Sequence, residues 1–298
     1  MRSGRVWTCA CSLLSMLLPL RVAHAQDSQA EFRLKVDVRL VEVYATVFDN
    51  KGHYVDGLNR DSFEVREDGR PQSIHTFEAN SDGISCAILL DTTGSMTEAL
   101  PRVKNSVVKL IDELGEHDTV AIFTFDQRLV VRQDFTNDKD AAKRAVLRTR
   151  AEGSTALFDA LSQAAEEVSK RSGKKALIVF TDGDDNSSVL NANAAVMRAT
   201  KLGIPLYSVA EGEAMQSPKL KKLLENLSEN TGGIAYHVNK LDDIGKVFRE
   251  IAGALQHLYM IGYKPVGDPA NARWRKISLE VKGLTDYKIR AKDGYFPD

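Results

Sequence analysis

Between about residue 84 and residue 256, short uninterrupted apolar runs alternate with longer stretches of helical period, and this alternation restricts the fold more than any other feature. The runs are Cys86 to Leu90, Val120 to Phe125, Ala176 to Phe180, Ile204 to Val209 and Ile234 to Val238. A strand that is apolar on both faces has no side for water, so it belongs in a parallel sheet covered by helices above and below. Between the runs, Leu100, Val103, Val107, Leu110, Ile111 and Leu114 keep one helix face apolar. Leu157, Leu161, Ala164 and Val168 do the same for a second helix, and Ile244, Val247, Phe248, Ile251 and Leu255 for a last one. Ser217-Pro218 opens another, with a capping hydroxyl followed by a proline at the first helical position. Residues 84 to 256 therefore read as an α/β domain with a doubly wound, mostly parallel sheet and helices on both faces.

The ends of the chain have a different texture. Leu34, Val36, Val38 and Leu40 alternate with polar residues, then Val41, Val43, Ala45 and Val47 continue in the opposite phase, which predicts a bulge or bend between Leu40 and Val41. Glu67-Asp68-Gly69-Arg70-Pro71 reads as a turn. Ile277, Leu279 and Val281, then Tyr287, Ile289 and Ala291, alternate again around a Lys282-Gly283-Leu284 connection. Neither segment buries a core alone, so residues 26–83 and 257–298 are expected to join in one small antiparallel β unit flanking the α/β domain.

Residues 1–25 carry a secretory pattern: Arg2 and Arg5, an apolar stretch from Val6 to Leu20, and Ala23-His24-Ala25 as the small-residue cleavage site. Cleavage after Ala25 places the chain in the periplasm or outside the cell and leaves Cys86 as the only cysteine, without an internal disulfide. Cys86 lies inside an apolar run and reads as a buried strand residue. No later stretch approaches the length of a membrane span. With 40 Lys plus Arg against 41 Asp plus Glu, the chain has no basic excess for non-specific nucleic-acid binding.

Three elements fall where a doubly wound sheet places its ligands, beyond the carboxyl ends of its strands. The first run ends in Asp91-Thr92-Thr93-Gly94-Ser95-Met96. The loop Glu152-Gly153-Ser154-Thr155 precedes the second helix. The third run ends in Thr181-Asp182-Gly183. Two carboxylates and several hydroxyls are hard oxygen ligands, with no His or Cys among them, and favour Mg²⁺, Mn²⁺ or Ca²⁺ over Zn²⁺ or Cu²⁺. Such a set only roughly neutralises the ion, which keeps attraction for one further anionic oxygen. On Asp91, Thr93 and Ser95 alone, helix capping explains the pattern as well as a metal does. Asp182, converging with Asp91, tips it toward a cation.

These residues resemble the von Willebrand factor type A domain with its metal-ion-dependent adhesion site. Asp91, Thr93 and Ser95 stand at the positions of the family's Asp-x-Ser-x-Ser motif, with Thr93 in place of the first serine. Thr155 is similar to its separate threonine and Asp182 to its later aspartate. The layout also resembles a bacterial group of exported proteins related to that family, whose short β flanks look like Asp61-Ser62-Phe63-Glu64-Val65 and Trp274-Arg275-Lys276-Ile277. The resemblance implies metal-assisted recognition of a protein or matrix partner through its Asp or Glu carboxylate. Closure on the partner would draw the Thr155 loop inward and shift a C-terminal helix.

An enzyme using Asp91 and Asp182 for phosphoryl transfer or hydrolysis is the alternative, and a scaffold with a vestigial metal site is another. The sequence lacks a second acid two positions after Asp91, a phosphate loop with Lys and a Gly-x-Ser-x-Gly elbow, so binding is favoured over catalysis. Asp184, Asp185 and Asn186 read as a solvated acidic rim, and Asp126 as a turn residue. Arg273-Trp274-Arg275-Lys276 suggests a cation–π surface or a phosphate contact, but a strand start with a half-buried Trp fits better. Asn186-Ser187-Ser188 and Asn226-Leu227-Ser228 match glycosylation sequons. If the two flanks form one unit, deleting 257–298 exposes the N-terminal segment to limited proteolysis. Unchanged protection of that segment contradicts the joint unit.

Overall fold

The computed structural model describes residues 40–79, 82–183, 185–240, 243–266 and 273–297. The expected signal segment, the alternation from Leu34 to Val38 and Asp184 lie outside the described residues.

The central sheet has six strands: β5 (Ile84–Asp91), β6 (Thr119–Phe125), β7 (Leu129–Thr136), β8 (Lys174–Thr181), β9 (Leu206–Ala210) and β10 (Ala235–His237). Their order is β10-β9-β8-β5-β6-β7, parallel throughout except for β7, which runs antiparallel to β6 at the edge. Every residue of β5 and β8 is buried, as strands apolar on both faces require. Among the described residues, six helices cover the sheet: α1 (Leu100–Glu113), α2 (Lys139–Leu147), α3 (Leu157–Ser169), α4 (Ala192–Leu202), α5 (Pro218–Thr231) and α6 (Ile244–Gln256). Helices α1, α2 and α6 share one core with Cys86, Ile88 and Leu90, while α3, α4 and α5 share the other with Ala87 and Leu89. Consecutive β5 residues thus serve opposite layers. Cys86 is a fully buried free thiol whose pKa burial pushes well up.

Ser217 caps α5 as expected, its Oγ accepting from Leu220 N at 3.2 Å, with Pro218 at the first turn. The helix ends on Gly232 at φ 84°, a left-handed conformation that costs glycine nothing. Strand β7 and helices α2 and α4 do not appear in the sequence reading. Three of the first four residues of β7 are apolar, but it continues Arg132-Gln133-Asp134, the pattern of a half-solvated edge rather than a buried run.

The chain ends build two antiparallel sheets where one small unit is expected. The first, in order β13-β1-β11-β4, contains β1 (Val41–Phe48), β4 (Ile74–Glu78), β11 (Tyr259–Tyr263) and β13 (Lys288–Ala291). The second, in order β14-β12-β2-β3, contains β2 (Phe63–Glu67), β3 (Arg70–Gln72), β12 (Arg275–Val281) and β14 (Gly294–Tyr295). N-terminal strands pair with C-terminal ones in both: Val43 lies opposite Ile261, and Val65 opposite Leu279. Val41, Val43, Ala45, Val47, Phe63, Val65, Tyr259, Ile261 and Tyr263 share one core. Two sheets form because β1 and β11 have two apolar faces to cover. Tyr44 and Met260, on their other faces, join the α/β core.

A buried polar group sits within the sandwich. Glu67 accepts from Arg275 Nη1 at 2.8 Å, Tyr263 Oη at 2.7 Å and Tyr295 Oη at 2.9 Å. Arg275 is therefore an internal ion-pair partner rather than part of a phosphate-binding surface, and Trp274 packs edge-on against Phe296. In the Asn226 sequon, Asn226 is exposed on α5 while Ser228 is fully buried, with its Oγ 3.1 Å from Ser208 Oγ. Among the described residues, no helix is long and apolar enough to cross a membrane.

Removing one partner of a buried ion pair strands the other charge, at a cost of about 3–5 kcal/mol. Arg275→Ala is therefore expected to lower the urea midpoint sharply, whereas Arg275→Met combined with Glu67→Gln recovers most of the loss. Equal midpoints for the wild type and Arg275→Ala would remove this pair from the forces holding the sandwich.

Candidate metal centre

The strand order reverses between β5 and β8: from β5 the chain builds outward to β6 and β7, then crosses back to add β8, β9 and β10 on the other side. Loops on the two sides of such a switch point diverge and leave a crevice at the carboxyl ends of the strands. Asp91 is the last residue of β5, and Asp182 follows the last residue of β8.

Asp91 is fully buried. Its Oδ1 accepts from Thr93 N at 2.9 Å and its Oδ2 from Thr181 Oγ1 at 2.7 Å. Thr93 Oγ1 lies 3.0 Å from Ser95 Oγ, and Ser95 Oγ donates to Asp182 Oδ1 at 2.8 Å. Gly183, the last residue of the third element, brings Thr155 to the same place: a Cβ at 183 would stand 3.8 Å from Ser95 Oγ and 4.0 Å from Thr155 Oγ1. Asp91, Thr93, Ser95, Thr155 and Asp182, from three separate stretches of chain, are thus gathered around one point. All five are oxygen donors, and all but Ser95 are buried.

Capping does not account for these hydroxyls. Thr93 precedes a short 3-10 turn at Gly94–Thr97 without making a side-chain capping bond, and α1 begins on Ala99 without one. Helix α3 begins on Ala156, also without a capping side chain of its own. Its first amides are served from elsewhere: Phe158 N donates to Asp185 Oδ2 at 2.9 Å and Asp159 N to Ser188 Oγ at 3.0 Å. Asn186 Oδ1 accepts from Thr155 N at 3.0 Å, and Thr155 O accepts from Asn186 N and Ser187 N. Asp185 and Asn186 therefore anchor the Thr155 loop and the start of α3, while Asn186 stays exposed in the solvated loop its sequence suggests. This role depends on contacts about 30 residues apart, which no local pattern signals.

Asp126 is the turn residue its sequence suggests, with Oδ1 accepting from Arg128 N at 3.2 Å, and its carbonyl receives Ala156 N at 2.8 Å. Gly153, at φ 85°, lets the loop pass Asp126, whose Cβ would stand 3.1 Å from a Cβ at 153.

Burial raises the Asp91 pKa despite its hydrogen bonds from Thr93 and Thr181. Burial, with the nearby Asp91 and Glu211 charges, pushes Asp182 up to about 6 against the pull of the Ser95 hydrogen bond. Glu211, just beyond β9, is an acidic neighbour that the sequence reading did not single out. Among the described residues, no three His, Cys, Asp or Glu side chains cluster as a metal cage. A hard cation here would rely on hydroxyls beside two carboxylates, a donor set suited to Mg²⁺, Mn²⁺ or Ca²⁺.

Residues 86–250 match the model of the von Willebrand factor type A domain, which is more than half of the chain. The chain belongs to this family. A relative from the cyanobacterium Synechocystis, the uncharacterized protein sll0103, is 31% identical over 177 residues, covering 56% of this chain and 40% of that protein. Escherichia coli YfbK is 26% identical over 53% of this chain and 29% of its own length. Bovine calcium-activated chloride channel regulator 1 is 27% identical over 51% of this chain and 17% of its own. The chain thus spans less than half the length of these curated relatives. Among solved structures, a von Willebrand factor type A protein from Catenulispora acidiphila aligns with TM-score 0.52 at 14% identity, over 89% of this chain and 76% of that one. Proximal thread matrix protein 1 of the mussel byssus, with a zinc-occupied metal-ion-dependent adhesion motif, aligns with TM-score 0.52 at 20% identity, over 63% of this chain and 49% of its own. At these identities the two structures speak to the fold alone.

The sign of the pH dependence follows from Asp182. A carboxyl whose pKa is higher in the folded than in the unfolded state contributes stability below its unfolded value and loses it as pH rises through the folded value. In chelator-treated protein, the urea midpoint is expected to fall between about pH 4 and pH 7, and Asp182→Asn to flatten that slope. A slope unchanged by Asp182→Asn would mean that another group carries it.

Proposed function

We propose that this chain is an exported binding module that recognises its partner through a divalent cation held by Asp91, Thr93, Ser95, Thr155 and Asp182. The ion is Mg²⁺, or Mn²⁺ or Ca²⁺ in its place, and it supplies an electrophilic point for one acidic oxygen of a protein or matrix partner. The observation that carries this reading is the contact of Ser95 Oγ with Asp182 Oδ1 at 2.8 Å, which joins the two strand ends into one donor set. Two carboxylates converging on one crevice repel unless a proton or a cation lies between them; burial, with the Asp91 charge adding to it, raises the Asp182 pKa. The mussel protein with zinc in its adhesion motif lends the same fold a metal-bound precedent. Thr93 keeps the hydroxyl of the serine it replaces and adds a methyl group, so its oxygen is retained as a ligand.

Export rests on the pattern of residues 1–25, with cleavage after Ala25, and places the module in the periplasm or outside the cell. In this reading, residues 84–256 are the recognition domain, while 26–83 and 257–298 form its β platform. Binding is favoured over phosphoryl transfer because Asp91 makes a poor acceptor: it is fully buried, with both oxygens already taking hydrogen bonds.

Calorimetry of the full chain with Mg²⁺ or Mn²⁺ is expected to show one saturable site, abolished by Asp91→Ala and weakened about tenfold or more by Ser95→Ala. Near-UV circular dichroism of the variants confirms folding. Equal titrations for all three proteins would reject the site. In a pull-down from the producing organism's envelope and medium, Thr155→Ala and chelated wild type are both expected to lose the partner. Retention by both would overturn metal-dependent binding, and metal-dependent phosphatase turnover lost in Asp182→Ala would replace it with an enzyme.

A further inference from the structure

A second feature, sharing no residue with the metal centre, gathers charge of the opposite sign. Strand β7 is the free edge of the six-stranded sheet, and α2 packs beside it. Between them lies a cleft of about 280 Å³, lined by Arg132 and Gln133 from the strand, by Ala141, Arg144 and Ala145 from the helix, and by Arg148 just past its end. Three of these six residues are arginines and none is acidic.

The arginines are not absorbed by internal pairing. Arg132 is anchored through Nε, which donates to the buried Thr124 Oγ1 at 2.9 Å, so its outer nitrogens are not needed for that contact. Arg144 has only a long contact of 3.8 Å with Asp138 Oδ2, and that carboxylate's other oxygen caps α2 through Ala141 N. Among the described residues, no carboxylate lies within ion-pairing distance of Arg132 or Arg148. By contrast, nearby Lys143 is held by both Asp112 and Asp140.

Basic residues near a helix C-terminus commonly serve its last carbonyls, but here that task is already filled. Lys104 of α1 donates to Leu147 O at 3.1 Å and to Thr149 O, and Thr149 Oγ1 donates to Val146 O at 2.8 Å. Arg144 and Arg148 are thus surplus to the helix end, and three like charges on one small cleft repel until an anion joins them.

We infer that the cleft between β7 and α2 is a binding site for a tetrahedral oxyanion, a phosphate or sulfate group, clasped by Arg132, Arg144 and Arg148. A guanidinium fork donates two parallel hydrogen bonds to two oxygens of one acceptor group. Three forks suit a phosphate or sulfate, whose oxygens point in several directions, better than a planar carboxylate. The volume is at the small end for ligand pockets, so one such group, or two linked ones, fits and a cofactor-sized ligand does not. The group arrives either as the free ion or as an ester on a larger polyanion. Because the arginines are exposed, the affinity depends strongly on salt.

The test is calorimetric titration of the full chain, freed of divalent ions on a chelating resin, with inorganic phosphate, pyrophosphate and a sulfated oligosaccharide at low ionic strength. Saturable binding of at least one probe is expected, weakened about tenfold or more by Arg148→Ala or Arg132→Ala and unchanged in Lys143→Ala. Ser95→Ala is also expected to bind the probe normally, which separates failure here from failure of the metal centre. Tighter binding of the sulfated sugar than of phosphate marks an ester as the source, and the reverse order marks the free ion. Absence of binding by all three probes, equal binding by wild type and both arginine variants, or equally tight binding of acetate would overturn the site.

Discussion

Two carboxylates are brought out of water at the carboxyl ends of neighbouring parallel strands, and the loops of this domain are arranged around that cost. Asp91 is wholly enclosed and Asp182 nearly so, each at the end of a strand buried on both faces. Charge buried in this way is tolerated only when hydrogen bonds, a proton or a cation answer it. Thr93, Thr181 and Ser95 supply the hydrogen bonds, and the upward shift at Asp182 shows that they leave part of the charge unanswered. The topology makes this placement unavoidable. Because the chain reverses its direction of growth between β5 and β8, neither strand end is covered by the crossover that leaves the other.

The opposite end of β8 is fastened as tightly as the site end is open. Lys174 is almost fully buried, its backbone N donating to Glu78 Oε2 at 2.8 Å and its Nζ to Ala79 O at 2.6 Å. Lys175 pairs with Glu42 at 3.0 Å, and Tyr44 reaches the same Glu42 from two positions further along β1. One strand therefore joins the flanking sheet of β1 and β4 at its first residues and presents Asp182 just past its last. Fixing the base of β8 to a second layer gives the acidic end a firm footing without placing any side chain in the crevice.

What was readable in the sequence follows from which contacts are local. Four of the five apolar runs announce themselves because a strand between two helix layers has no polar face, while the fifth ends in the half-buried edge strand β10. Asp91, Thr93, Ser95 and Asp182 stand out at the ends of such runs and Thr155 just ahead of a helix. Strand β7 escapes because its Arg132-Gln133-Asp134 segment obeys the rules of an edge. The two-sheet platform escapes because β3 and β14 are three and two residues long, too short to show any period. Asp185 and Asn186 look like loop residues because their partners, Phe158 and Thr155, lie 27 and 31 positions earlier. Arg275 looks like a surface cation because Glu67, its counter-charge, is 208 residues away.

The same long-range bonds bear on how far the site can rearrange. The segment from Glu152 to Ala156 is tied to the loops that follow β5 and β6 by main-chain hydrogen bonds: Glu152 N to Thr92 O at 2.6 Å, Gly94 N to Gly153 O at 3.2 Å and Ala156 N to Asp126 O at 2.8 Å. Asn186 holds Thr155 from the fourth side. Moving the Thr155 backbone by more than a small amount means breaking several of these bonds together or carrying the Asp126 and Asn186 turns with it. Each broken bond costs on the order of 1 kcal/mol. A ligand shifts such a balance only by the difference in its affinity for the two arrangements. A loop tied in this way permits only small backbone movements at low cost, so any larger shift of Thr155 has to carry its neighbouring turns along.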